Sequence, residues 1–229
     1  MALQKHKCDP ALGARVFEHL KQKGLHTPVV EEALFQHEGS KIDKIEALQT
    51  QVLELLGLDL SDDSLIETPR RIAKMYVSEL FWGLHPDHFP KCTTVENKMR
   101  YDEVVIEKAS VKSVCEHHFV YFGTSHRPDL GCWIAYVPKE KVLGLSKINR
   151  IVEYFARRPQ IQERLTEQIA ETLKFILETD DVAVVMKGQH FCVLTRGVED
   201  SDGMTITSAL HGRFRDELPM RQELMSLVR

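Results

Sequence analysis

Residues 146–187 read SKINRIVEYFARRPQIQERLTEQIAETLKFILETDDVAVVMK, two amphipathic segments in direct succession and then a β-branched run. In the first, Ile148, Ile151, Val152 and Phe155 recur on one helical face behind Ser146, which predicts an N-cap there. Arg157-Arg158-Pro159 ends that segment. In the second, about Ile161 to Leu177, the residues Ile161, Leu165, Ile169, Leu173 and Ile176 point toward a core. Val182 to Lys187 predicts a strand, and further strands are expected at Phe191 to Thr195 and at Thr205 to Leu210. Helix follows helix and strand follows strand, so the alternation of a parallel doubly wound sheet is missing. The expected class is α+β.

Working outward, strands are predicted at Glu103 to Glu107, His118 to Phe122 and Trp133 to Val137, the last ending at Pro138. The Gly, Pro and Asp content of 123–132 marks a loop between two of them. Upstream, Ile42, Ile45, Leu48, Val52, Leu55 and Leu56 fall near helical spacing before Gly57. Thr68-Pro69 reads as N-cap and first residue of a helix burying Ile72, Met75, Tyr76 and Leu80. Ala11 to Leu20 suggests a short helix before Gly24 and Pro28, and Pro219 to Val228 another at the far end. The chain thus divides into an N-terminal appendage, 1–41, and a main domain, 42–229, helical over 42–90 and sheet-forming over 91–229.

With 229 residues, 43% hydrophobic and 28% charged, the composition is that of a soluble globular protein. A net charge of −4 disfavours a general nucleic-acid binder. No apolar run is long enough to span a bilayer, and Met1 to Cys8 lacks the apolar stretch of a secretory signal, so a cytoplasmic location without membrane attachment is expected. Five cysteines without an export signal point to reduced thiols rather than a disulfide framework. Two lie in Cys115-Glu116-His117-His118 and His190-Phe191-Cys192. Two cysteines and a histidine make a Cys₂His zinc site with a fourth position free for water, and nearby histidines could carry protons. Spacing alone leaves this and a pair of ordinary buried core cysteines equally open.

Longer stretches narrow the choice. Cys115 to Phe119, Gly144 to Arg150, Arg158 to Leu165, His190 to Cys192 with Arg196-Gly197-Val198, and Glu67 to Tyr76 resemble GTP cyclohydrolase type I in order and spacing, from roughly Leu48 to the C-terminus. The resemblance implies the tunnelling fold (T-fold), an antiparallel β-sheet with helices packed on one side and a barrel closed by oligomerisation. It further implies a decamer of two pentamers with shared pockets. The implied reaction is zinc-dependent hydrolysis of GTP to 7,8-dihydroneopterin triphosphate and formate, the first step of tetrahydrofolate and pterin biosynthesis.

By the same resemblance, Cys115, His118 and Cys192 hold Zn²⁺. His190 protonates guanine nitrogen 7, and His117 assists. Glu163, with Gln162 beside it, recognises guanine, while Ser146, Lys147, Arg150 and Arg196, joined by Arg71, bind the triphosphate. Two other readings differ in class. One is a nitrile reductase of the same fold, which uses a thiol nucleophile and no zinc; the other is a non-catalytic nucleotide-binding subunit. The 123–132 loop is longer than the tight hairpin of the family, and Gly203-Met204 replaces small hydroxyl residues.

Overall fold

The computed structural model describes residues 3–124 and 127–228; Ser125 and His126 of the expected loop lie outside the described residues. The helices are α1 (Pro10–Gln22), α2 (Glu31–Leu34), α3 (Glu38–Leu55), α4 (Thr68–Lys74), α5 (Leu145–Ala156), α6 (Gln162–Leu177), α7 (Phe191–Leu194), α8 (Arg213–Asp216) and α9 (Leu218–Leu227). The strands are β1 (Thr94–Glu96), β2 (Val105–Ala109), β3 (Lys112–Cys115), β4 (Tyr121–Gly123), β5 (Gly131–Tyr136), β6 (Lys141–Leu143), β7 (Pro159–Gln160), β8 (Val182–His190) and β9 (Thr205–Leu210). A π-helix, Met75–Leu80, continues α4.

The α+β class holds. The sheet runs β2-β5-β8-β4-β3-β7, with β9 also paired to β8, while β1 and β6 form a separate ribbon. All pairs are antiparallel except the two-residue pairing of β3 with β7. Strand β8 organises the sheet: its first part lies between β5 and β9, and its last two residues reach β4.

Because strand side chains alternate, β5 and β8 supply two cores. Cys132, Ile134, Tyr136, Val182, Val184 and Met186 face Ile148, Ile151, Phe155, Leu165, Ile169 and Leu173 of α5 and α6. Burying each such aliphatic or aromatic side chain contributes about 1.5–3 kcal/mol, so this face dominates stability. Trp133, Ala135, Ala183 and Val185 face Phe214, Met220 and Leu224 of α8 and α9. The expectation of helices on one side is therefore corrected: both faces of the central strands are covered, since β5 is apolar at every position and buried throughout.

Local expectations shift in the same physical way. Helix α5 starts at Leu145 with Gly144 in the capping position, so Ser146 lies inside the first turn. Helix α4 starts at Thr68, with Glu67 before it. The predicted strand at 191–195 is instead α7, because β8 runs on to His190 and the chain must then leave the sheet. Helix α3 begins at Glu38 and crosses the expected 41/42 boundary, and Val16 and Leu20 of α1 sit in the main core at 2% and 3% exposure. The predicted stripe on α3 faces outward in the single subunit, with Leu48, Val52, Leu55 and Leu56 all exposed.

Candidate active site

Strand β3 delivers Cys115 to a tight turn. The Phe119 N–H donates to the Cys115 carbonyl at 2.9 Å, and the Cys115 N–H donates to the Val120 carbonyl at 2.9 Å. Phe119 adopts φ +54° to close the turn, a left-handed conformation unusual for a bulky residue. The turn is moored to α6 and β7: the Glu116 N–H donates to the Gln160 carbonyl at 3.0 Å, and the Glu116 carboxylate pairs with Arg164. From the other side β8 arrives with His190 in register with Phe122 of β4, and α7 turns Cys192 back over the sheet end.

This geometry gathers Cys115, Cys192 and His190, whose candidate ligand atoms all lie within 4.8 Å of one another. His117 is adjacent, its Nδ1 3.7 Å from Cys115 Sγ. The histidine grouped with the two cysteines is thus His190, whereas the resemblance implies His118. The turn carries His118 outward, where its Nε2 lies 3.3 Å from a guanidinium nitrogen of Arg196. Arginine only donates, so that Nε2 is an unprotonated acceptor.

His190 is held firmly. Its ring stacks on Phe122 at 4.6 Å with 3° between planes, and its Nε2 lies 2.9 Å from Gln162 Oε1. Gln162 is 1% exposed, and its amide nitrogen donates to the Met186 and Thr205 carbonyls and to Thr207 Oγ1, at 3.3, 3.0 and 3.1 Å. The amide oxygen must then be the atom facing His190, which makes Nε2–H the donor and Nδ1 the basic nitrogen. Burial pushes the His190 pKa below its ordinary value, with Glu163 pulling against it. Gln162 thus faces His190 and the sheet, while Glu163, next along α6, is exposed.

Sequence reading missed Phe122 and Gly188. A Cβ at Gly188 would stand 2.7 Å from Gln162 Oε1, so the absence of a side chain there is what admits Gln162. Neither residue carries a motif signal, because each acts through strand register.

Ser146, Lys147 and Arg150 occupy the first turns of α5, Ser146 exposed and the other two half-buried. Arg71 stands exposed on α4, which packs on α3 and the π-helix. Of the three remaining cysteines, Cys132 is a core residue whose thiol is pushed up to about 12 by burial, burial does the same to Cys92, and Cys8 lies before α1 with its Sγ 3.6 Å from the Gln4 carbonyl. His85-Pro86-Asp87-His88 forms a 3₁₀ turn in which His85 Nδ1 accepts from the Asp87 N–H at 3.2 Å.

The donor set suits a thiophilic divalent ion. Burial raises the Cys192 pKa, and its hydrogen bond with Cys115 raises it further, so two thiols crowd each other while Arg196 opposes only weakly. A divalent cation would offset that crowding, and two thiolates beside an imidazole form a donor set that fits such an ion.

Residues 45–229 match the family model described as GTP cyclohydrolase I. The chain belongs to the GTP cyclohydrolase I family. It is 49% identical over 215 residues to the GTP cyclohydrolase 1 of Haemophilus ducreyi, covering 93% of this chain and 95% of that one. Against the Aeromonas salmonicida protein of the same name the identity is 51% over 208 residues, covering 90% and 91%. With nearly the full length of these enzymes represented, the chain is an enzyme of the family. Among solved structures, an apo archaeosine synthase QueF-Like covers 46% of this chain and 90% of its own at 18% identity, with a TM-score of 0.37.

Proposed function

We propose that this enzyme hydrolyses GTP to 7,8-dihydroneopterin triphosphate and formate, with zinc held by Cys115, Cys192 and His118. The observation that carries the reading is that the two proposed thiol ligands, Cys115 and Cys192, lie within 4.8 Å of the proposed proton carrier His190, in a chain half identical to named GTP cyclohydrolases. His118 leaves the same turn as Cys115 with an unprotonated Nε2, and the Arg196 that occupies it is also assigned to the triphosphate. Zinc supplies Lewis acidity that makes water nucleophilic near neutral pH.

The protein side chains do the rest. Gln162 fixes the His190 tautomer, so the proton for guanine nitrogen 7 is carried on Nδ1 while Nε2–H stays bound to the amide. Phe122 keeps the imidazole in one plane. A lowered pKa makes that proton easier to release but favours the neutral imidazole near neutral pH, so Nδ1 takes up the proton before it delivers it. His117, beside Cys115, shuttles protons at the same centre. Glu163 accepts from the guanine ring N–H and exocyclic amine together, which adenine cannot offer. Ser146, Lys147 and Arg150 at the start of α5, with Arg196 and Arg71, meet the triphosphate, and the helix start adds its own N–H groups.

The reading includes a closed barrel in a decamer of two pentamers. The outer edge of β9, with exposed Ile206 and neighbouring Met204, and the exposed stripe of α3 support assembly. The reading takes the protein as a cytoplasmic enzyme acting on a small molecule, and the acidic balance argues against nucleic acid; no helix among the described residues is long and apolar enough to cross a membrane. The test is a formate assay on purified protein with metal content measured in parallel. Zinc-loaded oligomer that releases no formate from GTP refutes the function.

A further inference from the structure

A cavity of about 700 Å³ lies away from the Cys115–Cys192 centre, between the segment around α2 and α3 and the π-helix. That volume falls in the range of small-molecule sites. Its polar lining is rich in nitrogen groups: the ammonium groups of Lys5 and Lys41 stand with the imidazoles of His37, His85 and His88, and Glu38 is the one carboxylate among the lining residues. Glu38 is already engaged, by the Ser78 hydroxyl at 2.7 Å and by Lys5 at 3.9 Å. Lys41 donates to the Leu34 carbonyl, which leaves donors of the ammonium over. His85 Nδ1 accepts from the Asp87 N–H, so its Nε2 carries a hydrogen and is a donor. Apart from Gln36 and Ser78 the other walls are apolar or aromatic, among them Tyr76, Val77 and Phe81.

From this pairing of a largely apolar chamber with the spare donors of Lys41 and His85 we infer that the enzyme has a second binding site, for a small amphipathic anion whose aromatic or aliphatic body carries one carboxylate or sulfonate. The site is wired to the catalytic turn by contact. Tyr76 and Phe81 stack at 5.5 Å, and each meets Phe119 edge-on, at 6.0 and 5.3 Å. Phe119 is the left-handed residue that closes the turn bearing Cys115, His117 and His118. Tyr76 belongs to a π-helix, an element found mostly at functional sites, so a ligand pressing on its wall moves a strained neighbour of the metal centre.

Anilinonaphthalene sulfonate is a suitable fluorescent probe, titrated into the intact oligomer with and without saturating GTP. Saturable binding that survives GTP is expected, weakened roughly tenfold or more by Lys41→Met, the scale of one hydrogen bond to a charged group. Val77→Trp, which fills the chamber, should weaken it likewise; both variants should keep the wild-type circular dichroism, and if Val77→Trp fails to fold, Lys41→Met decides. Displacement by GTP, undiminished binding to Lys41→Met, or no saturable binding overturns the site. Saturating probe should also shift the KM for GTP at least about twofold in the wild type and not in Phe119→Leu; an unshifted KM overturns the coupling. Fluorescence does not depend on turnover, so an enzyme inactive on GTP would refute the proposed function and leave this result standing.

Discussion

Replacing Gly188 with alanine probes the claim that Gln162 sets the position of His190. The backbone there is outside the left-handed region, so alanine brings no torsional penalty and the effect is steric. Its methyl carbon would lie 2.7 Å from Gln162 Oε1 and 3.3 Å from Met186 Cε. Gln162 cannot swing away freely, because two carbonyls and Thr207 hold its amide nitrogen. Relief therefore comes at the 2.9 Å bond between Oε1 and His190. Overpacking of this kind costs about 1–3 kcal/mol, which for a chain of this length lowers Tm by roughly 2–12 °C. A proton carrier displaced by about 1 Å loses on the order of 10² in kcat. Thermal unfolding and formate release measure the two effects. In a Gln162→Ala background the methyl meets no amide oxygen, so adding Gly188→Ala should cost less than about 0.5 kcal/mol more. An equal cost in both backgrounds, or an unchanged kcat in the single variant, refutes the reasoning.

His190→Ala should retain zinc and lose about 10² to 10⁴ in rate, whereas His118→Ala and Cys192→Ser should lose the metal; elemental analysis with the formate assay separates the roles, and metal loss in His190→Ala makes His190 the ligand. Glu116→Ala removes the carboxylate that anchors the metal turn to Arg164 and should cost about 1–3 kcal/mol in thermal unfolding together with weaker zinc retention. Glu171 is buried, which alone would raise its pKa, but Lys174 at 2.8 Å and His19 at 3.4 Å outweigh burial and hold it below the ordinary carboxylate value. Its stabilisation is therefore present above the unfolded value, about 4.3, and lost as pH falls through the native one. Glu171→Gln should unfold earlier than wild type at pH 7, with the gap closing below about pH 4; a gap that widens in acid contradicts the sign.

Much of the fold was legible because burial imposes a period. Ile148, Ile151, Val152 and Phe155 announce α5, and Val182 to Met186 announce β8, since each face is apolar for one packing reason. The failures sit where a choice depends on distant chain. Phe191 to Thr195 is apolar enough for strand or helix, and the length of β8 decides it. Nothing in Cys115 to Phe119 signals a left-handed residue, because no glycine marks it. The stripe of α3 is apolar in sequence, yet Leu48, Val52 and Leu55 stand exposed, because periodicity reports an apolar face and not what covers it. At the site, both cysteines and all three histidines were readable as chemical types in sequence, but which histidine stands with the thiols depends on how a turn and a strand end meet. Phe122 and Gly188 were invisible for that reason.

Helix α1 has a consequence for how the protein is made. Val16 and Leu20 complete a core whose other wall includes α6, and His19 meets Glu171 at a sequence separation of 152. At roughly 5–20 residues per second, the ribosome takes on the order of ten seconds or more to finish that wall after the first helix has emerged. Until then the apolar face of α1 lacks that part of its packing surface and stays open to solvent while the rest of the chain is made.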